Sequence, residues 1–241
     1  MSLPNKNMTF LEHLEELRWA LLRSVLLLII FMFIGFIYSD LIQDFLLNSI
    51  DKAISNRIHL QDLKITSPFM AKVIIALFSS IIISFPYFIF EIYRFIYPAM
   101  SNISKSYFLF IFLFSVIFFV IGCLFGYFYL LPVSISFFIR LVDPNIDFNP
   151  ERLNYIFYSF WLILVSGLIY QLPVISLILT KLKIINYEFL RQMRSYSVVL
   201  FLVLGALLSP PDPLSQFLIA IPLYLLYELS ILISYIFRDK S

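Results

Sequence analysis

Carboxylates next to guanidinium groups are the chemistry that stands out in this chain. "TFLEHLEELRWALLR" (Thr9 to Arg23) holds Glu12, Glu15, Glu16, His13, Arg18 and Arg23 directly before a long apolar run. Thr9 followed by Glu12 has the spacing of a helix capping box, in which the Thr side chain and the Glu satisfy two orphan backbone donors. That gives Glu12 a structural reading. Glu15 and Glu16 need another. Arg18 stands three residues after Glu15, close enough on a helix to neutralise part of the cluster. Composition favours a solvated helix start with its carboxylates set well against the macrodipole. The functional reading is a docking site for a basic peptide, because a pair of carboxylates accepts the planar fork of arginine and discriminates against lysine.

Other polar residues lie inside apolar runs. Gln171 sits deep in "SGLIYQLPV", and Glu228 follows in the last run. Polar groups at membrane depth face protein or water and are functional candidates. The structural readings are an interhelical hydrogen bond for Gln171 and a side chain reaching for the interface for Glu228. Glu91 and Arg94, three residues apart, are expected to pair with each other. No Gly-rich phosphate loop with Lys-Ser/Thr and no G-x-S-x-G elbow is present, so no nucleotide hydrolase or serine esterase is expected. His13 and His59 are the only histidines and Cys123 the only cysteine. Neither a His-centred catalytic pair nor a metal site is expected.

The elements that must position these groups follow from hydropathy. Of 241 residues, 61% are hydrophobic and 13% charged, with a net charge of +2. A soluble domain is about half apolar and a quarter charged, so this composition calls for a multi-span membrane protein. The charge gives no reason to expect a nucleic-acid partner. Apolar runs at 19–38, 73–90, 107–131 and 155–180 are long enough to span, and 195–208 and 214–237 make two more. The Pro-rich "SPPDPLSQ" (Ser209 to Gln216) separates the last pair. The first run is too long for a cleavable leader and is read as a retained span. The fifth run of about 14 residues reaches only about 21 Å, short of the roughly 30 Å hydrocarbon core.

Placing the N-terminus inside puts 11 of the 17 Lys and Arg in the inner segments. The positive-inside rule then sets both termini in the cytoplasm. Large outer loops are expected from about Ser39 to Ala71 and from Pro132 to Asn154, and no repeat relates the two halves. The expectation is one all-α polytopic domain over 1–241 with six transmembrane helices. A secondary solute or ion transporter, with Gln171 and Glu228 lining its path, is the alternative function.

Six stretches, in order, resemble the TatC family of the twin-arginine protein translocase. They are "HLEELR" (His13 to Arg18), "SPF" (Ser67 to Phe69), "FIYPAM" (Phe95 to Met100), "IGCLFGYF" (Ile121 to Phe128), "LRQMRSY" (Leu190 to Tyr196) and "LLSPPDPLSQFLIAIPLYLLYEL" (Leu207 to Leu229). The resemblance implies a receptor rather than an enzyme, without cofactor. It would bind twin-arginine signal peptides of folded cargo in the bacterial inner membrane. It would work with single-span TatA-like and TatB-like partners in a hetero-oligomer driven by the proton-motive force. The implied fold is a concave helical wall with short fifth and sixth helices.

The family's motif glutamate falls on Glu16 and its arginine on Arg18, and the outer turn falls on Pro210, Pro211 and Asp212, followed by Gln216. Two positions depart. Ser104 stands where family members commonly carry an acid, and Gln171 where they often carry a glutamate. The peptide site is therefore expected to draw on Glu12, Glu15, Glu16 and Glu91 together with Arg18 and Ser104. The intramembrane or partner contacts are expected at Gln171, Asp212, Gln216 and Glu228.

Overall fold

The structure, a computed structural model, describes residues 10–53, 60–96, 105–140, 142, 149–208 and 213–236. Among these, regular structure is helical, with one isolated parallel bridge between Gln61 and Glu151. The helices are α1 (Phe10–Ile37), α2 (Ser39–Ala53), α3 (Ser67–Ile96), α4 (Lys105–Phe125), α5 (Leu131–Arg140), α6 (Arg152–Ile169), α7 (Leu172–Lys181), α8 (Tyr187–Gln192), α9 (Arg194–Leu208) and α10 (Pro213–Ile236).

Five helical segments among the described residues are long and apolar enough to cross a bilayer: Leu11–Ile37, Ser67–Ile96, Ser106–Ile139, Arg152–Lys181 and Ile219–Ile236. The third is continuous because a π-helical turn, Gly126–Leu130, joins α4 to α5. Pro132 lacks an N–H, and the wider turn just before it absorbs the missing donor. The fourth breaks at Tyr170 and Gln171, where Pro173 opens α7. The apolar helix α9 has 15 residues, about 22 Å.

Two expectations change. The segments read as outer loops contain two amphipathic helices, α2, which packs on α3 and α5, and α5, which continues the third span. The sixth helix is not short: α10 runs 24 residues, about 36 Å at the α-helical rise. Only the fifth is short. Pro222 lies inside α10 without ending it, as neighbouring helices permit for proline in membrane helices. Thr9, the expected cap, lies outside the described residues, so the expected capping box falls outside them as well.

α1 lies along α3, α3 and α4 pack on α6, and α10 packs on α7 and α9. The α1–α3 pair is antiparallel, so Glu16 meets Arg94 near one end and Gly35 meets Ala76 near the other. The end where α1 starts is called proximal below. Packing is divided into three clusters rather than one core. Leu46, Ile75, Phe78, Leu131 and Ile156 form the distal one. Tyr93, Ile111, Leu177 and Ile233 form the proximal one. Phe201, Ile219 and Leu223 tie α9 to α10. Leu22, Leu26, Ile29 and Phe33 of α1 are exposed, as a lipid-facing surface would be.

In lipid, apolar faces gain little by meeting one another, so helix association relies on close packing and interhelical hydrogen bonds. Gly122 and Gly167 show the first: a Cβ on Gly122 would sit 2.8 Å from the Gly167 Cα. Ser166 Oγ donates to the Gly122 carbonyl at 2.8 Å at the same crossing. On the distal side, Tyr155 donates to the Leu46 carbonyl at 3.1 Å and pins α2 to α6.

Candidate functional site

Helical spacing builds the proximal cluster. His13, Glu16, Ala20 and Arg23 recur every three or four residues, and so share one face of α1. That face meets the end of α3. His13 stacks on the Phe95 ring at 4.0 Å between centroids, and Ala20 is buried. Arg94 Nε stands 3.9 Å from Glu16 Oε1, with both side chains largely covered. Arg23 Nη2 donates to Glu91 Oε2 at 3.2 Å. The Tyr87 hydroxyl donates to Glu91 Oε1 at 2.8 Å. Glu91 is only 3% exposed.

The expected Glu91–Arg94 pair does not form. Each turns instead to a partner on α1, because their shared face packs against that helix. The cluster is then two carboxylates and two guanidiniums, formally neutral rather than a free acidic patch. It is also incompletely hydrogen-bonded. Glu16 Oε2, Arg23 Nε and Arg94 Nε are buried without a hydrogen-bond partner. At 3.9 Å the Glu16–Arg94 contact is an ion pair but too long for a hydrogen bond.

Glu12, Glu15 and Arg18 lie on the exposed side of α1. No ion pair joins Glu15 to Arg18 among the described residues. Ser104 lies outside the described residues. The sequence reading missed Arg23 as a member of the cluster, although its seven-residue spacing from Glu16 on α1 was a readable signal.

An apolar groove of about 260 Å³ adjoins this cluster. Leu21, Ser24 and Leu28 of α1, Ser84 and Tyr87 of α3, and Leu168 of α6 are among its walls. Tyr87 therefore borders the groove while its hydroxyl holds Glu91.

Gln171 does not border an open polar path. It is 5% exposed, at the break between α6 and α7. Its Nε2 donates to the Ser115 carbonyl at 3.1 Å, and its Oε1 accepts from the Ser115 hydroxyl at 2.6 Å. Both ends of the amide are used to staple the fourth span to the third. An amide does not titrate, so this position holds no protonatable group.

Gln216 Nε2 donates to the Leu202 carbonyl at 2.8 Å and closes the α9–α10 hairpin. The close approach depends on Gly205, where a Cβ would stand 2.8 Å from the Gln216 carbonyl oxygen. Asp212 lies outside the described residues. Glu228 accepts from Arg194 Nη2 at 2.6 Å and from the Tyr224 hydroxyl at 2.7 Å. This pair lines an open cleft of about 590 Å³ between α8 and α10. Gln171 does not line that cleft.

The family described as "Sec-independent protein translocase protein (TatC)" matches residues 12–222. The TatC protein of Aquifex aeolicus is 33% identical over 236 residues, covering 97% of this chain and 98% of the relative. That of Carboxydothermus hydrogenoformans is 32% identical over 242 residues, covering 98% and 97%. The crystal structure of a twin-arginine translocase receptor, TatC, superposes with a TM-score of 0.80 at 31% identity, over 93% of this chain and 98% of that one. A second crystal structure of the receptor, in DDM, gives a TM-score of 0.81 at 32% identity, over 92% and 99%. With a family match over most of its length and full-length relatives at this identity, the chain belongs to the TatC family of Sec-independent protein translocase proteins.

Proposed function

We propose that this chain is the signal-peptide receptor and core subunit of a twin-arginine translocase. The observation that carries the reading is the proximal cluster. Glu16 and Glu91, on the first two membrane helices, each already face a guanidinium. A site that accommodates arginine from its own chain has the charge and reach to accept it from a peptide. Carboxylate–guanidinium pairing also explains preference for Arg over Lys, since only the planar fork makes two parallel hydrogen bonds.

The finer arrangement follows from this reading. The chain forms one domain over 1–241 with six spans, and α9 crosses where the bilayer is locally thin. Both termini face the cytoplasm of a bacterial inner membrane, which puts the proximal cluster on the side where signal peptides arrive. Single-span TatA-like and TatB-like proteins complete the assembly, with Gln216, Asp212 and Glu228 as candidate contacts. Folded cargo then crosses at the expense of the proton-motive force. The paired amide of Gln171 supplies an interhelical bond in that wall and no proton relay.

The test is binding of a fluorescent signal peptide to the purified full chain. Glu16→Gln should weaken an Arg-Arg peptide by about 1.5–3 kcal/mol, roughly 10- to 150-fold in Kd. A Lys-Lys peptide should bind weakly to both forms. Equal affinity of the Arg-Arg peptide for wild type, Glu16→Gln and Glu91→Gln would refute the assignment.

A further inference from the structure

The two candidate carboxylates are not vacant, and this has a consequence for how a peptide gains them. We propose that Glu91 is a guanidinium subsite occupied at rest by Arg23, so that recognition is an exchange of the chain's own arginine for one from the peptide. The proposal rests on the receptor reading above.

Four observations carry it. First, Glu91 is 3% exposed, and a carboxylate buried that deeply needs a compensating cation. Whatever displaces Arg23 must bring a positive charge of its own, which selects for basic ligands.

Second, Arg23 is held lightly for such a partner. It makes one hydrogen bond to Glu91, at 3.2 Å, while its Nε is buried without a partner. A guanidinium can do better, with two parallel bonds to one carboxylate. The Arg23 side chain is 39% exposed, and the most apolar stretch of α1 is only 11% buried. It can therefore swing away without repacking a core.

Third, Glu91 stays in place when Arg23 leaves. The Tyr87 hydroxyl holds Oε1 at 2.8 Å, leaving Oε2 facing the exchange. The apolar groove bordered by Tyr87 begins beside this carboxylate.

Fourth, the neighbouring pair can be exchanged too. Glu16 and Arg94 stand 3.9 Å apart, and each keeps a buried polar atom without a hydrogen-bond partner. Glu16 and Glu91 thus lie on one seam between α1 and α3, each already facing a guanidinium.

The competing account is that Arg23–Glu91 only ties α1 to α3. The two accounts predict opposite signs for Arg23→Gln. Arg-Arg and Lys-Lys peptides would be titrated against the full chain in nanodiscs, as wild type, Arg23→Gln, Glu91→Gln and the double variant. Exchange predicts that Arg23→Gln binds the Arg-Arg peptide about 5- to 10-fold more tightly, because a self-competitor has been removed. The gain should vanish in the double variant, and the Lys-Lys peptide should gain less.

An Arg23→Gln protein that folds and binds the Arg-Arg peptide no better than wild type overturns the exchange. If Glu16→Gln still weakens that peptide, the receptor reading survives and only the exchange falls. If neither wild type nor Arg23→Gln prefers Arg-Arg over Lys-Lys, both fall. If wild type shows no preference and Arg23→Gln acquires one, the exchange is supported. Should Arg23→Gln not fold, Arg23→Lys serves instead. It keeps the charge but loses the planar fork, so a smaller tightening supports exchange and unchanged affinity overturns it.

Discussion

The Gln171–Ser115 staple allows a prediction with a definite magnitude. Two buried hydrogen bonds join these residues, Ser115 Oγ to Gln171 Oε1 at 2.6 Å and Gln171 Nε2 to the Ser115 carbonyl at 3.1 Å. Interhelical hydrogen bonds in membranes contribute about 0.6 kcal/mol on average and up to about 1.7. Gln171→Leu removes both. The freed Ser115 hydroxyl then falls back on a carbonyl of its own helix, as serines in helices do. The expected loss is about 1–2 kcal/mol. Ser115→Ala removes only the hydroxyl bond and leaves Gln171 Oε1 buried without a donor, at about 1 kcal/mol.

The diagnostic quantity is the double variant. With Leu at 171, Ala at 115 breaks no bond to the fourth span and loses only the hydroxyl's local contacts, to its own helix and to Tyr93, so the double variant should be close in stability to Gln171→Leu. The coupling is then about 1 kcal/mol, well above the roughly 0.3–0.5 scatter of independent sites. Equilibrium unfolding in mixed detergent micelles measures it. Strict additivity would refute the claim that this pair stabilises the junction of the third and fourth spans. Peptide binding should be unchanged in all three variants, because the two bonds of the staple join Gln171 and Ser115 to each other and not to Glu16 or Glu91.

Two other perturbations probe different parts of the wall. Gly122→Ala places a Cβ 2.8 Å from the Gly167 Cα and should destabilise by about 1–3 kcal/mol through overpacking, read as a lower melting temperature. Glu228→Gln weakens the contact with Arg194 at 2.6 Å; because both side chains are partly solvent-exposed, thermal unfolding should show a loss of no more than about 1 kcal/mol, with Arg-Arg peptide affinity unchanged.

Several features are legible along the chain. The run 155–180 is long enough to span, and its proline and glutamine mark where α6 gives way to α7. The Pro-rich turn before Gln216 marks the α9–α10 hairpin, and the short α9 is evident from run length. For Gln171 the sequence allows an interhelical hydrogen bond or a polar path, and the geometry of Ser115 selects the bond. The helix α2 is not evident in the same way, although Ile42, Phe45 and Leu46 stand at helical spacing within its polar sequence. An isolated amphipathic segment has no stable helix of its own. α2 gains its fold from tertiary contacts such as Leu46, buried among α3, α5 and α6.

Sequence determined the solvent this chain folds in and the number of apolar runs, because hydropathy is a sum over single residues and needs no knowledge of neighbours. Tertiary structure decided the electrostatics of the candidate site. The cluster reads along the chain as a set of carboxylates, with Glu91 expected to pair with Arg94. In the folded chain, Glu91 takes Arg23, 68 residues away, and Glu16 faces Arg94. An ion pair depends on two side chains and on the register of α1 against α3. Packing along the full length of both helices sets that register, down to Gly35 against Ala76, and no local spacing contains it.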